Sequence, residues 1–142
     1  MSEQIKVSNG RKTYDLVDEN GKVLGQLTFN PSDTKIMERH AEVMRQLQKM
    51  KEDFAKSVRK STIMEDLEEI DKIVYEKIDY LLNADVSKTL FSVMGPFSLL
   101  ENGQFYVEHV LDVLGKVIQK DGNAKAKKIN DKIKKYTAKY EK

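Results

Sequence analysis

The chain has 142 residues, of which 34% are charged and 39% are hydrophobic, and its formal net charge is +2. This length fits one domain with its own core, and the balance of charges argues against a dedicated nucleic-acid-binding domain. The absence of cysteine excludes disulfides, thiolate metal sites and a cysteine nucleophile. No apolar run approaches the roughly 18 residues of a membrane-spanning helix, and the first residues do not look like a signal peptide. We therefore expect a soluble, intracellular protein.

The first 30 residues show the alternating pattern of a β-sheet. Three short runs of alternating apolar and polar residues are separated by Asn9-Gly10 and Asn20-Gly21. Asn-Gly is typical of type I′ hairpin turns, because both residues tolerate a positive φ. The pattern predicts a three-stranded antiparallel meander, in which Gly25 marks a bulge or a close backbone approach. One face of the meander would carry Tyr14, Leu16, Val23, Leu27 and Phe29.

Two amphipathic helices are predicted after the meander. Apolar residues recur every three or four positions from Ile36 to Val58, and again from Ile63 to Leu81. This spacing is typical of a helix with one buried face. Thr62 and Glu65 fit a capping box, which places a break near Ser61. Because no Gly or Pro forces that break, a single helix of about 50 residues is the alternative.

The next part of the chain combines a short helix, an apolar loop and a longer helix. Asp85 could cap the short helix, and Gly95-Pro96 would stop it. The longer helix would begin at Tyr106 and end at Asp121-Gly122-Asn123. Three of the five phenylalanines lie between these two helices or at their ends. The segment is either a loop folded onto the core or an adaptable apolar surface for another protein, with Met and aromatic side chains as anchors.

The C-terminal end is strongly basic. Residues 116–142 contain ten lysines and three acidic residues. A stripe of Ile129, Ile133, Tyr136 and Tyr140 at intervals of 4, 3 and 4 predicts a short basic amphipathic helix. This end could bind a phosphate backbone or an anionic membrane, dock on a partner protein, or remain solvated. It contains no arginine, the better reader of phosphate, and this favours the last two alternatives.

No set of residues in the sequence converges on catalysis. His40 and His109 each stand alone on a predicted helix, without a second ligand at a metal-forming spacing. The acidic run from Glu65 to Asp71 would radiate around a helix instead of converging on a cation, so we interpret it as a solvated face near a helix N-terminus. Motifs of nucleophiles, zinc sites and phosphate-binding loops do not occur. We predict that the protein is not an enzyme and has no metal site or cofactor.

Together these elements predict an α+β, mostly helical fold, with an N-terminal three-stranded antiparallel meander packed on a helical bundle and a basic C-terminal helix. Residues 1–122 would form a single domain, with the β-meander over 1–30 and helices over 33–121. Residues 123–142 would be a basic C-terminal helix or tail.

The order of features over nearly the whole chain also resembles a known family. The meander runs into Phe29-Asn30-Pro31-Ser32-Asp33, and a charged helix follows. Five more short segments then come in order: Ile78-Asp79-Tyr80 leading to Asp85-Val86-Ser87-Lys88-Thr89-Leu90-Phe91, then Pro96-Phe97, Gln104-Phe105-Tyr106 and Lys135-Tyr136-Thr137. This order is similar to that of the tail assembly chaperones encoded by long-tailed phages and prophages of Gram-positive bacteria.

The resemblance implies a non-enzymatic protein that binds the tape-measure protein, keeps it soluble and helps tail-tube subunits polymerise around it. It implies action in the host bacterial cytoplasm and absence from the mature virion, with the tape-measure and tail-tube proteins as partners. We also expect self-association and no membrane partner. The alternatives are a structural tail component, such as a completion or connector subunit, and, less favoured, a nucleic-acid-binding regulator that uses the Lys-rich C-terminus. The predicted partner-binding residues are Phe91, Met94, Phe97, Phe105, Tyr106, Tyr136 and Tyr140.

Overall fold

A computed structural model describes the backbone of residues 2–140, and their side chains except those of residues 136 and 138–140. Within this range the fold is α+β and mostly helical, as predicted. Its elements, in chain order, are β1 (Lys12–Val17), β2 (Val23–Phe29), α1 (Lys35–Arg59), α2 (Ile63–Leu82), α3 (Ser87–Leu90) and α4 (Tyr106–Tyr140).

The sheet has two strands, so the predicted three-stranded meander is wrong in its strand count. β1 and β2 pair antiparallel, from Lys12 opposite Phe29 to Val17 opposite Val23. Residues 2–11 form no strand, and the side chains of Ile5 and Val7 are almost fully exposed. Alternation favours a strand only where one face finds a core to cover it, and these two side chains find none.

The turn between β1 and β2 differs from the predicted type I′ turn. Gly21 adopts a φ of 81°, but Asn20 stays outside the left-handed region. One carboxylate oxygen of Asp18 accepts hydrogen bonds from the backbone N–H groups of Asn20 and Lys22, both at 2.9 Å. A side-chain acceptor therefore closes this turn, and only one left-handed residue is needed.

A bulge or a close approach was predicted at Gly25, and the structure has both. Leu16 pairs with Gly25 and Val17 pairs with Val23, which leaves Leu24 as the extra residue on β2. A Cβ on Gly25 would lie 2.6 Å from Cγ2 of Thr89, a residue of α3. The sheet therefore packs directly on α3 at this position.

The break between α1 and α2 lies at Ser61, as predicted, and the single long helix is excluded. Ser61 adopts a φ of 59°, which no continuous right-handed helix allows. The predicted capping box is absent, because the Thr62 side chain does not cap α2. Instead, its hydroxyl donates to the carbonyl oxygen of Ser57 at 3.4 Å. The Ser57 hydroxyl in turn donates to a carboxylate oxygen of Asp66 at 2.9 Å.

One hydrophobic core joins all of these elements. The central residues of the apolar faces predicted for α1, α2 and the first half of α4 are buried, together with Leu27 and Phe29 of the sheet. Val23 and Val58 were expected on these faces but are half exposed. Val23 precedes the bulge that breaks the alternation of β2, and Val58 lies in the last turn of α1.

The predicted helix end at Asp121-Gly122-Asn123 is wrong, because α4 continues to Tyr140. Glycine ends a helix by adopting a left-handed conformation, and Gly122 does not adopt it. The buried Asp121 side chain serves a tertiary contact: its carboxylate accepts hydrogen bonds from Ser32 Oγ at 2.6 Å and Lys12 Nζ at 3.0 Å. After Asp121 the described side chains are exposed, apart from a half-buried Lys125. The division of the chain into one domain, residues 1–122, and a basic C-terminal helix or tail, residues 123–142, stays a prediction.

Candidate functional site

An open apolar groove with a volume of about 600 Å³ lies between the hairpin and α4, and we call it the hairpin–α4 groove. The hairpin forms one wall, with the side chains of Tyr14, Leu16, Leu24, Leu27 and Phe29 among its lining residues. The first turns of α4 form the other wall, with Tyr106, Val110, Val113 and Val117. The groove ends against the last residue of α3, Leu90, and the segment that follows it, where Val93 and Met94 contribute.

An aspartate of α2 positions α3, and with it the residues at the end of the groove. One oxygen of the Asp79 carboxylate accepts the backbone N–H groups of Val86 at 2.9 Å and Ser87 at 2.8 Å. Its other oxygen accepts the Ser87 hydroxyl at 2.9 Å. The predicted cap, Asp85, does not act as one, because the N-cap of α3 is Val86. A capping side chain from a neighbouring helix replaces the local one.

The aromatic residues around Gly95-Pro96 are folded onto the protein's own core. Phe91 and Phe97 are buried, and their rings stack on Tyr75 and Phe54 with centroid separations of 5.2 and 4.7 Å. The half-buried Phe105 packs edge-on against the rings of Phe54 and Phe97, at 5.5 Å from each. These rings fill the interior of the protein. This arrangement agrees with the interpretation of the segment as a loop folded onto the core.

Two of the predicted partner-binding residues also line the groove. Met94 is partly exposed and carries a flexible thioether side chain at the surface. Tyr106 is buried and presents part of its ring to the groove, while its hydroxyl donates to the carbonyl oxygen of Leu90 at 2.9 Å. Burial raises the pKa of Tyr106, so this hydroxyl stays protonated as a donor at neutral pH. Among the predicted residues whose side chains are described, Met94 is therefore the most exposed.

The side chains of Tyr136 and Tyr140 lie outside the described residues. The two isoleucines of the same stripe, Ile129 and Ile133, are 57% and 56% exposed on α4. The described part of the stripe is thus uncovered in the monomer.

Sequence reasoning predicted the apolar face of the hairpin but not the groove beside it. Tyr14, Leu16, Leu27 and Phe29 were placed on one face by their alternation, whereas the space between that face and α4 depends on how the two elements pack. The α4 wall did leave a signal: Tyr106, Val110, Val113 and Val117 recur at intervals of 4, 3 and 4. Tyr106 and Val110 are buried in the core and Val113 is 42% exposed, so this row extends from the core to the surface.

The charged residues that line the groove are all acidic. They are Asp15, Asp18 and Glu19, on the hairpin side and at its turn. The α4 wall contributes aliphatic and aromatic side chains together with His109. The groove therefore has an acidic rim along one wall only.

The two histidines lie in different environments. His40 Nε2 lies 3.3 Å from the carbonyl oxygen of Leu111, where Gly115 lets α1 approach α4 closely. His109 is exposed. In the part of the chain that the structure describes, no three His, Cys, Asp or Glu side chains are grouped to hold a metal ion.

The acidic run at the start of α2 does not form one site. The nearby hydroxyls of Thr62 and Ser57 lower the pKa of Asp66, and the Ser57 hydroxyl donates to its carboxylate, which therefore serves the junction between α1 and α2. One turn later, burial raises the pKa of Asp71. The two carboxylates therefore differ in environment and do not converge on one ligand.

None of the helices over residues 2–140 contains a stretch long and apolar enough to cross a membrane. No protein-family model matches the chain, and no curated protein or solved structure is significantly similar to it.

Proposed function

We propose that the protein is a non-enzymatic phage tail assembly chaperone that binds the tape-measure protein and assists assembly of the tail tube. It would act in the host bacterial cytoplasm and be absent from the mature virion. The observation that carries the proposal is the hairpin–α4 groove, which is open, lined mostly by apolar side chains and about 600 Å³ in volume. The order of sequence features, which resembles that of this chaperone family, supports the choice of partner.

An apolar groove of this kind fits one face of an amphipathic helix. Such helices bind grooves through side chains at positions i, i+3 or i+4, and i+7. A tape-measure chain exposes long helical stripes before assembly, and uncovered stripes of this kind aggregate. Leu16, Leu24, Val113 and Met94 offer aliphatic and thioether contacts without a demand for one exact side-chain shape. The groove can therefore accept successive segments of a long partner.

The size of the groove favours modest affinity at each site. A volume of about 600 Å³ holds a few anchoring side chains and leaves most of a helix outside. Many weak contacts along one tape-measure chain would still give high total avidity. Each contact can then be released as tail-tube subunits arrive.

The test is co-expression with the tape-measure protein, using a variant whose fold is unaffected. Val113 is 42% exposed on the α4 wall, so Val113→Lys places a charge in the groove with little effect on stability. Leu99→Lys is the matched control, because Leu99 is 68% exposed and does not line the groove. We expect the wild type and L99K, but not V113K, to keep the tape measure soluble.

A tape measure that is equally soluble with and without the wild-type protein would overturn the proposal. Mass spectrometry of purified virions is the second measurement. Finding this protein in mature particles at the copy number of a tail subunit would favour the structural tail component instead.

A nucleic-acid-binding regulator is the second candidate, and a row of lysines on α4 favours it. Lys125, Lys128, Lys132 and Lys135 follow one another at intervals of 3, 4 and 3, so they form a row along one side of the helix. This candidate predicts DNA binding that weakens steeply with salt and disappears when residues 125–142 are deleted. DNA binding that survives the deletion, or that is absent in low salt, would exclude it.

A further inference from the structure

We infer that the basic end of α4 from a second copy of this chain docks in the hairpin–α4 groove, which creates a head-to-tail contact between identical subunits. This inference uses the same groove as the proposed function but does not depend on the tape-measure protein. It assigns the groove a second occupant, and its test needs only the protein itself.

The first observation is that α4 carries two separate uncovered apolar surfaces. Its first turns form the groove wall that includes Val113, and its far end carries Ile129 and Ile133. At 100° per residue the two isoleucines lie about 160° and 200° around the helix from Val113. The stripe is therefore no continuation of the groove wall, and each surface needs its own cover.

The second observation is that the two surfaces cannot meet within one molecule. α4 is continuous from Tyr106 to Tyr140, and Ile129 lies about 18 Å along its axis beyond Val117, the last groove residue. A continuous helix cannot fold back on itself. Residues 122–140 extend the helix by about 28 Å beyond Asp121, the last buried side chain among the described residues. This length is enough to reach a second subunit.

The third observation is that the charges of the two surfaces are complementary. The lysine row from Lys125 to Lys135 runs along one flank of the isoleucine stripe, and Lys127 and Lys134 lie on the other flank. The groove is acidic only along the hairpin wall, where Asp18 and Glu19 form the turn. A helix that places Ile129 and Ile133 against α4 can therefore turn its lysine row toward these acids.

The same charges argue against the alternative of stripe-on-stripe pairing between two copies. Such a pairing would bring the lysine rows of two copies close to each other, and like charges repel. The groove is the described apolar surface whose charged lining residues have the opposite sign. It is therefore the better partner for the stripe.

This contact is heterologous, since one copy gives its groove and the other gives its helix end. It also covers the groove, so that self-association and binding of another apolar helix exclude each other. A partner would have to displace the neighbouring subunit, and the basic end would protect the groove until then.

The experiment is sedimentation velocity on the full chain over a range of concentrations, with two defective variants. Ile129→Ser with Ile133→Ser disables the helix end, and Val113→Lys disables the groove. Both changes are at exposed positions, so the fold should be retained, and circular dichroism checks this. Ile5→Ser is the matched control for loss of an exposed isoleucine elsewhere.

We expect the wild type and I5S to associate. Each defective variant should associate at least about tenfold more weakly than the wild type. A mixture of the two variants should form a one-to-one heterodimer and stop there, because it contains one intact groove and one intact helix end. Raising the salt from about 0.1 to about 1 M should weaken the wild-type association.

Three results would overturn the inference. The first is a wild type that stays monomeric at every concentration. The second is loss of association in the double serine variant while V113K associates normally, which would indicate stripe-on-stripe pairing. The third is a mixture of the two variants that stays monomeric. None of these results bears on whether the tape measure binds.

Discussion

Removing the carboxylate of Asp79 should destabilise the protein, because it holds α3 in place. Asp79→Ala deletes the acceptor for the backbone N–H groups of Val86 and Ser87 and for the Ser87 hydroxyl. Val86 and Ser87 are 1% and 2% exposed, so water does not readily replace the lost acceptor. The residues at the end of the hairpin–α4 groove follow α3 directly, and their placement should loosen as well.

The expected loss of stability follows from these contacts. A buried donor left without a partner costs about 1–3 kcal/mol. The Ser87 hydroxyl can rotate to a new partner, so only the two backbone N–H groups are counted. Together they should lower the free energy of unfolding by about 3 kcal/mol. For a chain of this length, about 4 °C of melting temperature corresponds to 1 kcal/mol, so Tm should fall by roughly 10 °C.

Two matched variants separate capping from other effects. Asp79→Asn keeps one acceptor oxygen for both N–H groups but loses the charge and the acceptor of the Ser87 hydroxyl, so we expect a loss of about 1 kcal/mol. Asp85→Ala removes the carboxylate that local sequence marks as the cap, and at this exposed position it should change stability by less than about 0.5 kcal/mol. Thermal and urea unfolding, followed by circular dichroism, measure all three variants. A stability of D79A within about 0.5 kcal/mol of the wild type, or equal losses in D79A and D85A, would refute the capping argument.

Three further predictions concern the helix end, the buried carboxylate and the sheet. Deleting residues 123–142 should change Tm by less than about 2 °C, because the described side chains there are exposed apart from Lys125; a larger loss would show that they stabilise the core. Hydrogen bonds from Ser32 and Lys12 lower the pKa of Asp121 below its ordinary value of 3.8. Such a carboxylate stabilises the folded protein fully at a pH above the pKa that it has in the unfolded chain. It loses this contribution as the pH falls through its lower pKa in the folded protein. The difference in Tm between the wild type and Asp121→Asn should therefore be constant near neutral pH and shrink below pH 3.8; a difference that grows on acidification would contradict this. Gly25→Ala should cost about 1–3 kcal/mol, because its Cβ would collide with Thr89, and Thr89→Ala in the same chain should recover part of that loss; strictly additive effects would be the contrary result.

The helical part of this fold could be predicted from local pattern. The spacing of apolar residues identified α1, α2 and the buried half of α4, because a helix with one buried face must repeat its apolar residues every three to four positions. The break at Ser61 was also placed correctly, although the capping box that suggested it does not form.

Features that depend on contacts between distant residues could not be predicted in this way. The alternation of Ile5 and Val7 resembles that of β2, but only the sequence that finds a core becomes a strand. Gly122 resembles a helix stop, yet Asp121 turns to Ser32 and the helix continues. In both cases the local pattern permits two conformations, and tertiary packing selects one.

The sequence by itself determined which residues seek a buried face, where the chain must bend at Gly21 and Gly25, and that charge collects at the C-terminal end. Only the tertiary structure decided that the aromatic residues around Gly95-Pro96 fill the core, and that the hairpin and α4 leave an apolar groove between them. Periodicity reports that a face avoids water but does not identify what covers it. That choice depends on contacts such as Gly25 with Thr89 and Asp79 with Ser87, which form only when the elements meet.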